Sequence, residues 1–360
     1  MADSRTFDVA VSPHVGSSQT TKRIMWDVAI ALVPALIAAV WFFGPSALLL
    51  VAASVITAVL TEWLCLKFMK RPLNYAFDGS AVVTGILLAY NVPPGVPWWL
   101  PVLGSAFAIA VAKQAFGGLG HNIVNPALLG RAFLVASFPV LMTAGWSAPM
   151  EWQNGDRTEV QACGVSTASL SDRGELDALT GATPLNALKQ SFNWEGEETR
   201  SEEVRSMLYS SGSMKNLFMG RIGGCIGETS ALMLILGALY LVFRGVLELR
   251  LPLSYLGSVA LFAWLFGGQG WFDGNPFFHL LAGGVMLGGF FMISDMVTTP
   301  VTRKGRIIFG IGAGFLTMVI RRWGGYPEGC SYSILLMNLA TPLIDRYTRP
   351  SVFGEVKKNG

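Results

Sequence analysis

The chain alternates long apolar runs with short polar breaks. Apolar runs lie at about residues 25–43, 46–68, 79–92, 98–115 and 126–144, and a second set at about 225–243, 252–268, 278–294, 305–320 and 330–345. A straight membrane crossing takes roughly 20 residues, and in hydrocarbon the backbone must satisfy itself, so the pattern predicts about ten helical spans. The 79–92 run is short and ends in Asn91-Val92-Pro93-Pro94-Gly95, which predicts a broken or tilted helix. A long polar interruption, about 145–220, separates the two sets.

The second set echoes the first. Phe116-Gly117-Gly118 follows the fourth run as Trp323-Gly324-Gly325 follows the ninth, and Gly85 to Pro94 is similar to Gly289 to Pro300. The offset stays near about 205 residues, and two halves of five crossings each must be inverted relative to one another, an arrangement that in transporters puts interrupted helices around a central site. The expected fold is an all-α integral membrane protein of about ten transmembrane helices in two inverted five-helix repeats. Its segments are 1–24 (cytoplasmic), 25–144 (first repeat), 145–222 (extracytoplasmic), 223–346 (second repeat) and 347–360 (cytoplasmic tail).

Composition sharpens this class. Hydrophobic residues make up 52% and charged residues 14% of the chain, against roughly 25% charged in a soluble domain. The 41 glycines and 11 tryptophans suit close helix contacts and interfacial anchoring. Basic residues sit at the ends of apolar runs instead of clustering on one face, which excludes a nucleic-acid surface. Lys22, Arg23, Lys67, Lys70, Arg71, Lys113, Arg244, Arg250, Arg303, Lys304, Arg306, Arg346, Arg349, Lys357 and Lys358 fall on one side of a ten-span arrangement, predicting both termini in the cytoplasm. Arg321 and Arg322 are exceptions. The first twenty or so residues are polar and lack the apolar core of a secretory signal.

Cys65, Cys163, Cys225 and Cys330 stand far apart, with no C-x-x-C pair, so no local metal or cluster site is expected. Ionisable residues near the spans are few: Asp27, Glu62, Asp78, Arg131, Glu228, Asp295 and Asp345. Each is either an ion-pathway candidate or half of a structural pair. Glu195, Glu197, Glu198, Glu202 and Glu203, flanked by Arg200 and Arg205, read as a solvated face. Gly310-Ile311-Gly312-Ala313-Gly314 is an incomplete dinucleotide fingerprint inside an apolar run, where glycines permit close helix packing.

Within the polar interruption stands Asp177-Ala178-Leu179-Thr180-Gly181-Ala182-Thr183-Pro184-Leu185. Thr183 is a natural N-cap and Pro184 a natural first residue for a helix over Leu185 to Lys189. The same geometry suits a phosphate esterified to Thr183, which would meet the free amides and positive dipole end of that helix. Local chemistry leaves both readings open.

A family resemblance covers nearly the whole chain. It rests on Ser12-Pro13-His14, Asp78-Gly79-Ser80-Ala81 with Thr84-Gly85, the run from Gly117 to Arg131, Gly223-Gly224-Cys225-Ile226-Gly227-Glu228-Thr229, Asp295 to Pro300, Gly324-Gly325-Tyr326-Pro327, and Pro342 to Pro350. These segments resemble the D subunit of the Rnf (Rsx) complex and, more distantly, the B subunit of the sodium-pumping NADH:quinone reductase. The resemblance implies an electron-carrying membrane subunit of an Na+- or H+-translocating ferredoxin:NAD oxidoreductase in a prokaryotic inner membrane, with no complete active site of its own. Its partners would be the A, B, C, E and G subunits, a flavin transferase and membrane lipid, and no nucleic acid. In that family a D-x-x-[ST]-G-A-T motif takes FMN by a phosphoester; Asp177, Thr180, Gly181, Ala182 and Thr183 fill it, with Thr183 the attachment residue on the extracytoplasmic side. The relative's Asn-x-x-Asn-Pro segment implies non-covalent riboflavin at Asn122 and Asn125, which equally read as capping residues of the fifth span. Without a flavin, the chain reads as a secondary transporter or channel with inverted repeats.

Overall fold

The computed structural model describes residues 20–146, 149–153, 156–159, 183–192 and 198–349. Asp177, Thr180, Gly181 and Ala182 lie outside the described residues, as do Ser12-Pro13-His14, Cys163, Glu195, Glu197 and the tail beyond residue 349.

Helix α1 (Thr21–Phe43) starts on Thr20, whose hydroxyl accepts from the Arg23 amide, and stops at Gly44, whose φ of 80° no branched residue adopts easily. Pro45 then opens α2 (Pro45–Phe68), so a single residue reverses the chain. These two are the helices long and apolar enough to cross a membrane alone among the described residues. After a short 3₁₀ turn, α3 (Ser80–Tyr90) ends at Asn91, as the Pro93-Pro94 pair demands. Helix α4 (Trp99–Phe107) runs on as a π-helix over Ala108–Gln114.

The 126–144 run does not form one rod. It divides into α5 (Pro126–Ser137) and α6 (Pro139–Ala144), because Phe138 precedes proline and is driven out of helical space to φ −132°, ψ 57°. A two-stranded antiparallel hairpin follows, β1 (Met150–Gln153) with β2 (Asp156–Glu159), a local exception to the expected all-helical fold. The polar interruption then contributes α7 (Pro184–Phe192), α8 (Glu198–Leu208) and α9 (Ser211–Met219).

The second half comprises α10 (Ala231–Phe243), α11 (Arg250–Phe266), α12 (Pro276–Leu281), α13 (Val285–Leu287) continuing as a π-helix over Gly288–Met292, α14 (Arg303–Trp323) and α15 (Cys330–Tyr347). The 278–294 run is therefore also broken, at Ala282 to Gly284, where Gly283 takes φ 71°.

Helices α1, α2, α3, α5, α10, α11, α14 and α15 share one apolar core containing Leu32, Leu88, Leu128, Tyr255 and Phe309. Close approach depends on glycine: a methyl at Gly310 or Gly314 of α14 would run into Ser254 or Ser258 of α11, and one at Gly237 of α10 into the Ala31 carbonyl of α1. The glycine-rich stretch of α14 is thus a packing surface. Large apolar side chains also face outward, among them Ile37, Trp41, Leu49, Leu239 and Phe243, an arrangement that fits lipid and not water. A smaller cluster, Leu185, Leu188, Val204, Leu208 and Leu217, seats α7, α8 and α9 on Phe278 of α12.

Arg321 and Arg322, which broke the charge asymmetry, have structural work. Arg321 is buried and donates to the carbonyls of His279 at 2.6 Å and Ala282 at 2.8 Å, satisfying the broken end of α12. Arg322 lies 4.3 Å over the Phe192 ring and donates to the Gln269 carbonyl.

Candidate cofactor site

Thr183 caps α7. Its hydroxyl oxygen accepts from the Asn186 amide at 3.3 Å, and its carbonyl accepts from the Ala187 amide at 3.0 Å. Pro184 follows as first helical residue, and buried Leu185 and Leu188 turn the apolar stripe inward. Lys189, one turn on, donates to the carbonyls of Gly324 and Tyr326, tying α7 to the turn between α14 and α15. Burial pulls the Lys189 ammonium below the usual lysine range, and the two carbonyls replace its lost water.

Thr183 stands at a cleft whose empty volume, mouth included, is ≈ 940 Å³. Its apolar wall includes Val135, Met142, Trp146 and Ile222, and its polar wall Arg131, Glu228, Glu328 and Tyr332. Tyr326 and Tyr332 stack, with ring centroids 5.7 Å apart. Arg131 of α5 donates to Asn91 Oδ1 at 2.7 Å, to Ser331 Oγ at 2.8 Å and to Glu328. Glu328 is fixed from its other side by the Gly284 amide at 2.7 Å. Glu228 sits 3.7 Å from Arg131, its side chain 5% exposed, yet its Oε1 has no hydrogen-bond partner. Cys225 Sγ lies within 4.8 Å of both carboxylates.

The lining suits a flat aromatic group with one polar edge: the apolar wall would take its rings, Arg131 and the free oxygen of Glu228 would meet its polar atoms, and Thr183 offers a hydroxyl in the same cleft. The first-turn amides of α7 suit a phosphate.

Asn122 and Asn125 line a different cavity, whose empty volume, mouth included, is ≈ 840 Å³, together with Ser80, Thr84, Lys113 and Asp295. Asn125 does cap α5, its Oδ1 accepting from the Ala127 and Leu128 amides, while its Nδ2 donates to the Met292 carbonyl at 3.3 Å. Asn122 is less committed: its Nδ2 reaches the Val124 carbonyl at 3.4 Å and its buried Oδ1 has no partner.

Most of the other ionisable residues singled out in the sequence serve local structure. Asp27 pairs with Arg244 at 3.0 Å, Asp78 accepts from the Ser80 amide, Asp295 from Val297 and Thr298, and Asp345 from Val301. Glu328, Asn91 and Ser331 were not foreseen; their roles depend on Arg131, which reaches Asn91 within its own half and Glu328 and Ser331 in the other.

A helical membrane protein with cavities at interrupted helices is the class that these features define. Over residues 8–354 the sequence matches the model of the NQR2, RnfD, RnfE family, and the chain belongs to that family. It is 46% identical over 351 residues to the D subunit of the Na(+)-translocating ferredoxin:NAD(+) oxidoreductase complex of Acetobacterium woodii, covering 97% of this chain and 96% of that one. It is 44% identical over 349 residues to the proton-translocating counterpart of Clostridium ljungdahlii, with 97% and 96% covered. The D subunit of the ion-translocating oxidoreductase complex of Escherichia fergusonii is 39% identical over 363 residues, with 98% and 99% covered.

Proposed function

We propose that this chain is the D subunit of an ion-translocating ferredoxin:NAD+ oxidoreductase complex, carrying FMN esterified to Thr183. The observation that carries the flavin is the position of Thr183, a helix cap at the lip of the ≈ 940 Å³ cleft that holds Arg131 and Glu228. Asp177, Thr180, Gly181 and Ala182 complete the recognition motif for a flavin transferase. When bound, FMN supplies one- and two-electron transfer. The chain's residues would hold it: the α7 amides would meet the phosphate, the apolar wall would exclude water, and Arg131 would set a fixed positive charge in the cleft. Asn122 and Asn125 hold riboflavin in the second cavity, where Asn122 Oδ1 awaits a donor.

The architecture we infer is ten spans in two inverted repeats, 25–144 and 223–346. In support, α2 and α11 start at Pro45 and Arg250, and α3 and α13 at Ser80 and Val285, both pairs about 205 residues apart. Both termini face the cytoplasm and the 145–222 segment faces out, in an inner membrane shared with the A, B, C, E and G subunits. A denaturing gel tests the flavin: the band fluoresces under ultraviolet light and Thr183→Ala is dark at equal abundance. A Thr183→Ala band as bright as the unmodified one refutes covalent flavin at this residue and leaves Thr183 an ordinary helix cap, whereas an unmodified chain with no fluorescence favours the transporter reading.

A further inference from the structure

Positive charge gathers where α7, α12 and the C-terminal end of α14 meet. Lys189 of α7, His279 of α12, and Arg321 and Arg322 of α14 line one pocket, whose empty volume, mouth included, is ≈ 270 Å³. Each cation has committed only part of its donors. Lys189 gives two N–H groups to the Gly324 and Tyr326 carbonyls and has a third. Arg322 gives one to the Gln269 carbonyl. Arg321 is 4% exposed and gives its Nη groups to the His279 and Ala282 carbonyls, yet its Nε–H is buried without a partner. Orphaned buried donors are costly, and folded proteins keep few of them. His279 is the complement: with Nε2–H given to the Gly267 carbonyl at 3.3 Å, its buried Nδ1 is an acceptor without a donor.

Carbonyls satisfy hydrogen bonds but leave the charge. None of Lys189, Arg321 and Arg322 forms an ion pair with a described carboxylate. The acids close by are committed elsewhere. Glu228, within electrostatic reach of Arg321, faces Arg131 at 3.7 Å, and Glu328 also pairs with Arg131. Asp273 pairs with Arg205, a like charge within reach of Arg322. The dipole of α14 offsets only about half a charge at this end. A buried water would take one N–H and leave the charges as they are, so the pocket calls for an anion.

The surroundings select the kind of anion. Leu188 and Phe192 also line the pocket, and Arg322 lies over the Phe192 ring. Trp323, next to Arg322, and Trp271, two residues beyond Gln269, are both exposed, as aromatic side chains at headgroup depth are. From Trp323 an aromatic strip follows the seam of α11 and α14: Trp323 packs on Phe266 at 5.1 Å, and Phe266 on exposed Phe315 at 6.5 Å. A phosphate held by the cations would lay its acyl chains along that strip.

We propose that this pocket binds the headgroup of an anionic phospholipid, with the phosphate oxygens on Lys189, Arg322 and the Arg321 Nε–H. The buried acceptor of His279 favours a headgroup that also bears a hydroxyl, as in phosphatidylglycerol. A lipid held there bridges α7 to α14 and fastens the helix that Thr183 caps to the membrane surface. Arg321 and Arg322, which depart from the charge asymmetry of the other span ends, are then the lipid's counter-charges. The leaflet rests on the topology proposed above, which thiol labelling tests separately; binding of the anion does not.

Thermal unfolding of the purified full chain in detergent tests this. Dihexanoyl-phosphatidylglycerol should raise the unfolding temperature saturably, and dihexanoyl-phosphatidylcholine, with the same chains and no net charge, should raise it much less. Lys189→Gln with Arg322→Gln removes two charge-assisted hydrogen bonds, so half-saturation by phosphatidylglycerol should rise about tenfold or more. Lys189→Arg with Arg322→Lys keeps both charges and should retain most of the response. A purely structural role predicts a lower unfolding temperature without lipid and an unchanged lipid response. If the double glutamine variant does not fold, Arg322→Gln alone, which leaves Lys189 tying α7 down, must show a weakened response. Equal responses to the two lipids, or an undiminished response in the glutamine variants, overturns the proposal. So does sodium phosphate that matches phosphatidylglycerol when compared with sodium chloride at equal ionic strength, because the occupant is then free phosphate and no lipid.

Discussion

Arg131 Nη1 donates to Oδ1 of Asn91 at 2.7 Å, and this bond is the first rung of a buried ladder between the two cavities. Asn91 Nδ2 in turn lies 3.7 Å from Met292 Sδ, and the Met292 carbonyl accepts from Asn125 at 3.3 Å. Every rung is at a discontinuity: Asn91 ends α3, Met292 ends a π-turn and Asn125 caps α5. Broken helix ends leave polar groups free at depth, and here those groups satisfy one another.

Removing the Arg131 charge leaves Glu228 and Glu328, both largely shielded from water, without their cation. Arg131→Gln should cost about 3–5 kcal/mol, the usual penalty for breaking a buried pair, read as a large fall in unfolding temperature in detergent. Glu228→Gln should cost far less, because Glu228 Oε1 makes no hydrogen bond and loses only a 3.7 Å ion pair with Arg131. Equal losses from the two substitutions would show that Glu228 and not Glu328 carries the pairing.

Thr183→Ser keeps both a cap and a hydroxyl. It should fold like the unmodified chain and recover at least part of the gel fluorescence, whereas Thr183→Ala loses the fluorescence and about 1 kcal/mol of cap energy. A dark Thr183→Ser band with a bright Thr180→Ala band would mean that the transferase requires the threonine methyl. A dark band from Thr180→Ala alone would move the attachment to Thr180.

Asn122 and Asn125 separate by function. Asn125→Ala loses a cap and should cost about 1 kcal/mol; Asn122→Ala should be near neutral in stability yet release the flavin extractable by denaturation. If extractable flavin is unchanged in both variants, the second cavity holds no riboflavin at these residues.

Sidedness can be read with impermeant thiol reagents in a background with Cys65 and Cys163 replaced by serine, Cys225 and Cys330 being buried. A cysteine at exposed Ser206 of α8 should label in intact cells, and one at exposed Lys304, in the first turn of α14, should label only after lysis. The reverse pattern would place the flavin segment in the cytoplasm.

The sequence alone determined the class, because apolar runs of membrane length and a charge content near half the soluble norm leave few alternatives. It also showed Thr183 as a helix cap, since a threonine before a proline is local chemistry that survives without a fold, while the flavin reading of that residue came with the family resemblance. Where helices break was half legible: Pro93-Pro94 announced the end of α3, but the split at Phe138–Pro139 passed as part of one run because its flanks are equally apolar. Tertiary structure alone decided what Arg131 does. Its partners, Asn91, Glu228, Glu328 and Ser331, come from both halves of the chain, and no periodicity encodes a contact spanning 200 residues to Ser331. Arg321 shows the same limit. By charge it misplaces a span end, yet in the fold it is buried and spent on the His279 and Ala282 carbonyls, because a broken helix needs donors wherever it ends.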